Sequence, residues 1–354
     1  MRLYINYIYE LKKLTKILMT LIIFIFILLI LPHILPSYYI IFISYALSFA
    51  IASLGFNLLL GYTGLLSFGH AVFFAIGAYS VALIARYLPN IYYFEIVILI
   101  ALISSALFAA LIGIIALRVS EAYFAILVLA VSMIIYSLIL KFYTITRGSD
   151  GLPVPIPKFI GLTIHGISQD VFIVKYYYYI LISIFIVSLI IMYLIVSSPF
   201  GKALQAIRDN PNRAYLIGIN VKLYKYYSFV ISGTYVGLAG SLWSIVNMYT
   251  SPEVAHWSFS SDIVYMTLLG GYTIFLGPVL GAIIYTLIKL YTVIFTQYWL
   301  LASGIIILII SLLFPEGLGG AFLRAYKFLA PLTIKRERKE IKRKEIREKN
   351  RRLR

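Results

Sequence analysis

Apolar residues in this chain run in long, nearly unbroken blocks rather than in short amphipathic stripes. The clear blocks cover about Ile17–Leu35, Tyr38–Leu60, Phe68–Tyr87, Phe94–Leu117, Tyr123–Lys141, Val171–Val196, Tyr226–Met248 and Trp299–Phe314. Each approaches the roughly 20 residues a helix needs to cross the hydrocarbon core of a bilayer. Between the last two, Asp262–Phe295 is interrupted by Gly270-Gly271 and Gly277-Pro278, so it predicts two shorter segments instead of one. The expected fold is therefore an all-α polytopic membrane protein, since a lipid-exposed segment must satisfy its backbone internally.

The polar positions set the topology. The island Ser197–Lys225 carries Lys202, Arg208, Arg213, Lys222 and Lys225 against one acid, Asp209. Lys and Arg are retained on the cytoplasmic side, so this loop is expected there. If the chain starts inside, behind Lys12, Lys13 and Lys16, six spans return it inside at Ser197. The tail Lys335–Arg354 holds twelve basic and four acidic residues and has to end inside as well, which requires an even number of further spans. Cutting Asp262–Phe295 at its glycines gives about ten transmembrane helices with both termini cytoplasmic. Re-entrant pairs near Gly61–His70 or Gly270–Pro278 remain alternatives. Residues 1–334 then form a single transmembrane domain, with a cytoplasmic loop at 197–225, an external loop at 142–170 and a basic cytoplasmic tail at 335–354. Lys141, Arg147, Lys158 and Lys175 run against the charge rule in the external loop. The apolar block after Lys16 is followed by no small-residue cleavage site, and is read as a retained span.

Composition narrows the class further. With 62% hydrophobic and 12% charged residues the chain cannot be an ordinary soluble domain. The net charge of +17 is largely topological, and the tail reads as a positive-inside anchor that also attracts anionic lipid, with nucleic acid not expected. There is no cysteine, which excludes disulfides and thiolate chemistry, and His33, His70, His165 and His256 are scattered without metal-ligand spacing. Glu95, Glu121 and Asp262 lie near predicted span ends, so the central carboxylates of an ion-coupled carrier are missing. No acid pair or acid–histidine cluster suggests a membrane enzyme, and no Walker A loop is present. Energy for any transport must come from a partner.

Two glycine-rich segments are candidates for a transport route. Asn57–Tyr79 contains Asn57, Gly61, Gly64, Ser67, Gly69, His70 and Gly77. Such a run fits a broken helix whose freed backbone lines a wet cavity, or tight helix packing, or both. Gly270 and Gly271 open the second break, and Gly271-Tyr272-Thr273 faintly echoes Gly61-Tyr62-Thr63, as two inverted halves would. Gly233, Gly237 and Gly240, with Ser241 and Ser244, read as a close-packing face. Within the polar island, Pro199-Phe200-Gly201 opens a short helix over Lys202–Arg208, and Asp209-Asn210-Pro211 closes it. That arrangement suggests a docking surface.

Taken in order, these blocks resemble the LivM-like permease subunits of branched-chain amino acid ABC importers. The similarity is carried by Asn57–Tyr79; by Leu117-Arg118 with Tyr123–Ile126 and Leu129-Ala130; and by Thr146–Leu152 (TRGSDGL), which is similar to an external TGGxxGL loop. It continues through Gly201–Asn220 (GKALQAIRDNPNRAYLIGIN), Phe229–Leu242, the Gly270–Ala282 glycines and Phe314–Gly320. Glu121, Arg147 and Thr273 stand where that family usually has glycine, Val128 where it has threonine and Met133 where glutamate is frequent. The resemblance implies a non-catalytic transport subunit in the cell membrane, paired with a sister permease, two cytoplasmic P-loop ATPases and an external substrate-binding protein. It implies no cofactor on this chain, with ATP and Mg held by the ATPases. Gly201, Lys202, Ala206, Arg208, Asp209, Arg213 and Gly218 would then couple to an ATPase, Arg208 and Asp209 as the chief polar contacts. Asn57, Gly61, Gly64, Ser67, Gly69, His70, Gly270 and Gly271 are candidates for the substrate path. Urea, amides or other small solutes remain alternative cargoes.

Overall fold

The structure, a computed structural model, describes residues 28–160, 168–321 and 324. Most of the expected first span, residues 161–167 of the external loop with His165, and the basic tail lie outside the described residues. Eleven helices define the frame used below: α1 Ser37–Asn57, α2 Ala71–Tyr87, α3 Phe94–Ala116, α4 Glu121–Lys141, α5 Tyr178–Ser197, α6 Pro199–Asp209, α7 Pro211–Leu216, α8 Val221–Asn247, α9 Trp257–Gly270, α10 Gly277–Phe295 and α11 Trp299–Leu313. A π-helical turn, Leu58–Thr63, continues α1, and another, Ile173–Tyr177, leads into α5.

Among the described residues seven helical stretches are long and apolar enough to cross a membrane, and α2 is a shorter apolar helix. The block expected over Phe68–Tyr87 begins as helix only at Ala71; just before it, Gly69 lies against the backbone at Val128, where a side chain would collide. The long block Asp262–Phe295 is divided as its glycines require, with α9 ending at Gly270 and α10 starting at Gly277.

The long helix α8 is the central post, packed along α1, α2 and α3. Its glycines explain the closeness. A methyl at Gly237 would meet Ser105 of α3, and at Gly240 it would meet the Phe74 carbonyl of α2; in turn, a methyl on Gly77 of α2 would meet the Gly237 carbonyl. The small-residue face read from the sequence is thus a packing seam. Around it, Phe73, Phe74, Phe124 and Phe229 form buried aromatic contacts.

At one end of the bundle the 142–160 segment folds back over α8. Leu152–Pro153 pairs antiparallel with Tyr249–Thr250, and the Val154 amide donates to the Met248 carbonyl at 2.9 Å. Arg147 adopts φ 59°, the left-handed conformation that glycine would occupy without a Cβ penalty. Beside it, the Tyr143 hydroxyl donates to Asp150 at 2.7 Å, and that bond to a carboxylate holds the phenol above its ordinary pKa.

Candidate functional site

The polar island folds into two capped helices separated by the single extended residue Asn210. Ser198 caps α6 by accepting from the Gly201 amide at 3.4 Å, and Pro199 sits in the first turn, where no amide is needed. Asn210 ends α6 and caps α7, its side chain accepting from the Arg213 amide at 3.0 Å. Leu204 and Ile207 are buried on one face of α6, while Lys202, Arg208 and Asp209 lie on the exposed side and Ala206 is half-buried. Gly201 is also buried, and a side chain there would strike the Val196 carbonyl, so this glycine makes the sharp corner between α5 and α6. Gly218 has φ +90° and closes α7: its amide donates to the Tyr215 carbonyl at 3.0 Å and that of Ile219 to Ala214 at 3.1 Å. This is the Schellman arrangement, in which glycine supplies the left-handed residue. Arg213 projects into solvent. Tyr215, Leu216 and Ile217 are 71%, 82% and 73% exposed and form an apolar knob beside the basic residues. The sequence reading missed this knob; its signal was an apolar triplet inside an otherwise polar loop.

Arg208 brings the island and the glycine-rich break together. Its Nη1 donates to the Gly61 carbonyl at 2.6 Å, and its Nη2 pairs with Asp209 at 3.1 Å. The side chain crosses Gly64, where an added Cβ would lie 2.9 Å from Arg208 Cγ and where φ is +82°. Glycine is required at position 64 on both counts. Gly61 lies in the π-helical turn, and a side chain on it would collide with the Tyr272 carbonyl. Tyr272 belongs to the second break, between α9 and α10. There Gly271, φ +98°, is pressed against the backbone of Glu316 and Gly317, and Gly270 against that of Gly277. The two echoing Gly-Tyr-Thr segments therefore touch, with the arginine of α6 fastened to one of them.

Ser67, Gly69 and His70 are enclosed instead. His70 has no exposed surface; its Nδ1 is 2.8 Å from the Ser67 hydroxyl and its Nε2 3.0 Å from that of Ser232. A neutral imidazole donates at one nitrogen and accepts at the other, so the two serines satisfy it fully. Phe56, Phe73 and Phe229 surround the ring edge-on at 5.0–5.7 Å. Asn57 is 1% exposed, and neither its amide nitrogen nor its oxygen has a hydrogen-bond partner among the described residues.

A second polar group went unnoticed in the sequence. Lys289, in the second half of α10, places its ammonium 3.6 Å from Asp262 of α9 and 5.4 Å from the centre of the Trp299 ring. A lysine inside an otherwise apolar span is the signal that could have found it.

The seven long apolar helices, with the shorter α2, define a multi-pass membrane protein. The family described as the permease component of the branched-chain amino acid transport system matches residues 38–311, and the chain belongs to that family. It is 28% identical over 290 residues to the high-affinity branched-chain amino acid transport system permease protein LivM of Escherichia coli, covering 76% of this chain and 67% of that protein. The corresponding LivM of Salmonella typhimurium is 27% identical over 287 residues, with the same shares covered. A probable branched-chain amino acid transport permease protein LivM of Methanocaldococcus jannaschii is 24% identical over 323 residues, 76% of this chain and 89% of that one. No solved structure matches the chain.

Proposed function

We propose that this chain is the permease subunit of an ATP-binding cassette importer for branched-chain or related hydrophobic amino acids. It would cross the cell membrane about ten times with both termini in the cytoplasm. It would pair with a sister permease, two ATPase subunits that hold ATP and Mg, and an external substrate-binding protein. The supporting observation is the presentation of α6 and α7. They form a doubly capped surface between two long apolar helices, basic on its exposed side and bearing the Tyr215–Ile217 knob. In this reading the knob, Lys202, Asp209 and Arg213 meet the ATPase, whereas Gly201 and Gly218 shape the corner and the cap. Arg208 faces both ways: paired with Asp209 at the surface and bonded to Gly61 within, it carries movement of α6 to the break. Closure of the ATPases would then shift the balance between inward-open and outward-open states.

The test is reconstitution of the assembled complex in vesicles. Uptake of labelled leucine is expected to require ATP, both ATPases and the binding protein. Arg208→Ala should leave the ATPases bound and hydrolysing while uptake falls about tenfold or more, the loss expected for a charge-assisted hydrogen bond. Leu216→Ser should weaken ATPase attachment itself. Full uptake by this subunit alone would overturn the reading.

A further inference from the structure

Between α1, α8, α9 and α10 lies a cavity of about 300 Å³, within the roughly 300–1,000 Å³ range of small-ligand pockets. Its walls are largely aromatic, with Tyr45, Phe49, Trp243 and Phe259 among them; Asn247, Lys289 and Thr286 are its polar side chains besides the tyrosines, and the Thr286 hydroxyl is already donated to the Ala282 carbonyl. We propose that this cavity receives the substrate as a zwitterion: the Lys289 ammonium binds the α-carboxylate, Asn247 and the aromatic faces receive the α-ammonium, and the apolar wall holds the side chain. The proposal rests on the importer reading and deepens it by assigning the site and the charge state of the cargo.

Four observations carry it. First, a lysine within a membrane span is costly and is retained where it pairs or meets a polar route. Lys289 does pair with Asp262, but loosely, at 3.6 Å, and its side chain is 38% exposed. An ammonium has three donors, so one bond to Asp262 leaves others for a carboxylate. Second, the Asn247 side-chain oxygen accepts from the Tyr45 hydroxyl at 3.0 Å, while its nitrogen donates to the Tyr249 carbonyl at 2.7 Å. These bonds fix the amide with its oxygen turned to Tyr45, and an amide oxygen retains a second lone pair. Third, tyrosine and tryptophan faces attract a cation, and Tyr45 and Trp243 lie 6.2 Å apart, centre to centre, on the same wall. Fourth, Lys289 and Asp262 together are neutral, as a zwitterion is, so occupancy adds no net charge to the membrane interior. Asp262 does not line the cavity; it is a positioning residue that holds Lys289 in place.

The alternative is a purely structural ion pair, and a charge swap separates the two. In the full complex in vesicles, Lys289→Met with Asp262→Asn removes both charges without stranding either. Leucine uptake is expected to fall about tenfold or more, while ATPase stimulation by the leucine-loaded binding protein persists. Exchanging the residues, Lys289→Asp with Asp262→Lys, restores an ion pair but presents an anion to the carboxylate, so uptake stays low. Recovery by the swapped variant to within about twofold of the parent would overturn the proposal and leave the pair a structural one. A second measurement does not depend on these variants assembling. The chain has no cysteine, so Val293→Cys, on the cavity wall, gives this subunit a single thiol whose labelling can be read on its own band of the separated complex. Leucine is expected to slow that labelling severalfold, and leucinamide, which lacks the carboxylate, to leave it unchanged. Equal labelling in both would also sink the site. A parent complex that imports no hydrophobic amino acid would defeat the importer reading itself; a parent that imports leucine alongside an equally active swap defeats only the site.

Discussion

Two polar clusters lie inside this apolar bundle, and they are built in opposite ways. The His70 cluster is sealed: both ring nitrogens are taken by serines, three phenylalanines close the ring in, and nothing is exposed. The Lys289 cluster is open: its ion pair is long, its lysine borders a cavity and stands near the Trp299 ring, and the Tyr285 side chain hydrogen-bonds to the acid rather than to the lysine. In a low-dielectric interior a fully satisfied network fixes structure, whereas an unsaturated one leaves capacity for a ligand. The difference lies in spare hydrogen-bonding capacity, not in the polarity of the residue.

The contrast can be broken at several points. The largest effect is expected at the seam beneath the His70 cluster. Gly240→Val would drive methyls into the Phe74 carbonyl and cost about 3 kcal/mol or more, read as loss of folded protein in detergent. His70→Phe comes next. It leaves the Ser67 and Ser232 hydroxyls buried without their partner, and should lower stability by about 2 kcal/mol while the folded fraction still transports. Loss of transport without loss of stability would place His70 on the route after all. Neutralising Lys289 and Asp262 together should reverse that pattern, changing stability by less than about 1 kcal/mol, since replacing both members of such a pair is often neutral, yet abolishing most uptake. The smallest effect is expected at the end of the bundle that carries the 142–160 segment. Arg147→Gly relieves a left-handed residue of about 1 kcal/mol and gives back a similar amount in chain entropy, so melting should barely move, whereas Arg147→Val should destabilise measurably.

Much of the fold was legible because lipid imposes simple rules. Block lengths pointed to the seven membrane-length helices seen among the described residues, against about ten expected spans, and the division of α9 from α10 followed from Gly270, Gly271, Gly277 and Pro278. The short helix of the polar island was legible from its proline and asparagine punctuation. The site was less so. A histidine among glycines looks the same in sequence whether its nitrogens are free or satisfied, because Ser232, its second partner, lies far away on α8. Lys289 was hidden by its apolar neighbours, and Asp262, near the end of an expected span, was separated from it by the break between α9 and α10. Arg208 was read as an outward contact because its partner, the Gly61 carbonyl, is a backbone group that no composition argument can see.

That single bond from Arg208 to Gly61 has a thermodynamic consequence. If the geometry of the break differs between two states of the bundle, whatever seats on α6 favours one of them by the free energy it gains there. Reciprocity then requires the converse. A molecule that favours one arrangement of the Gly61–Tyr272 contact must alter, by the same factor, the affinity of the α6 surface for whatever seats on it.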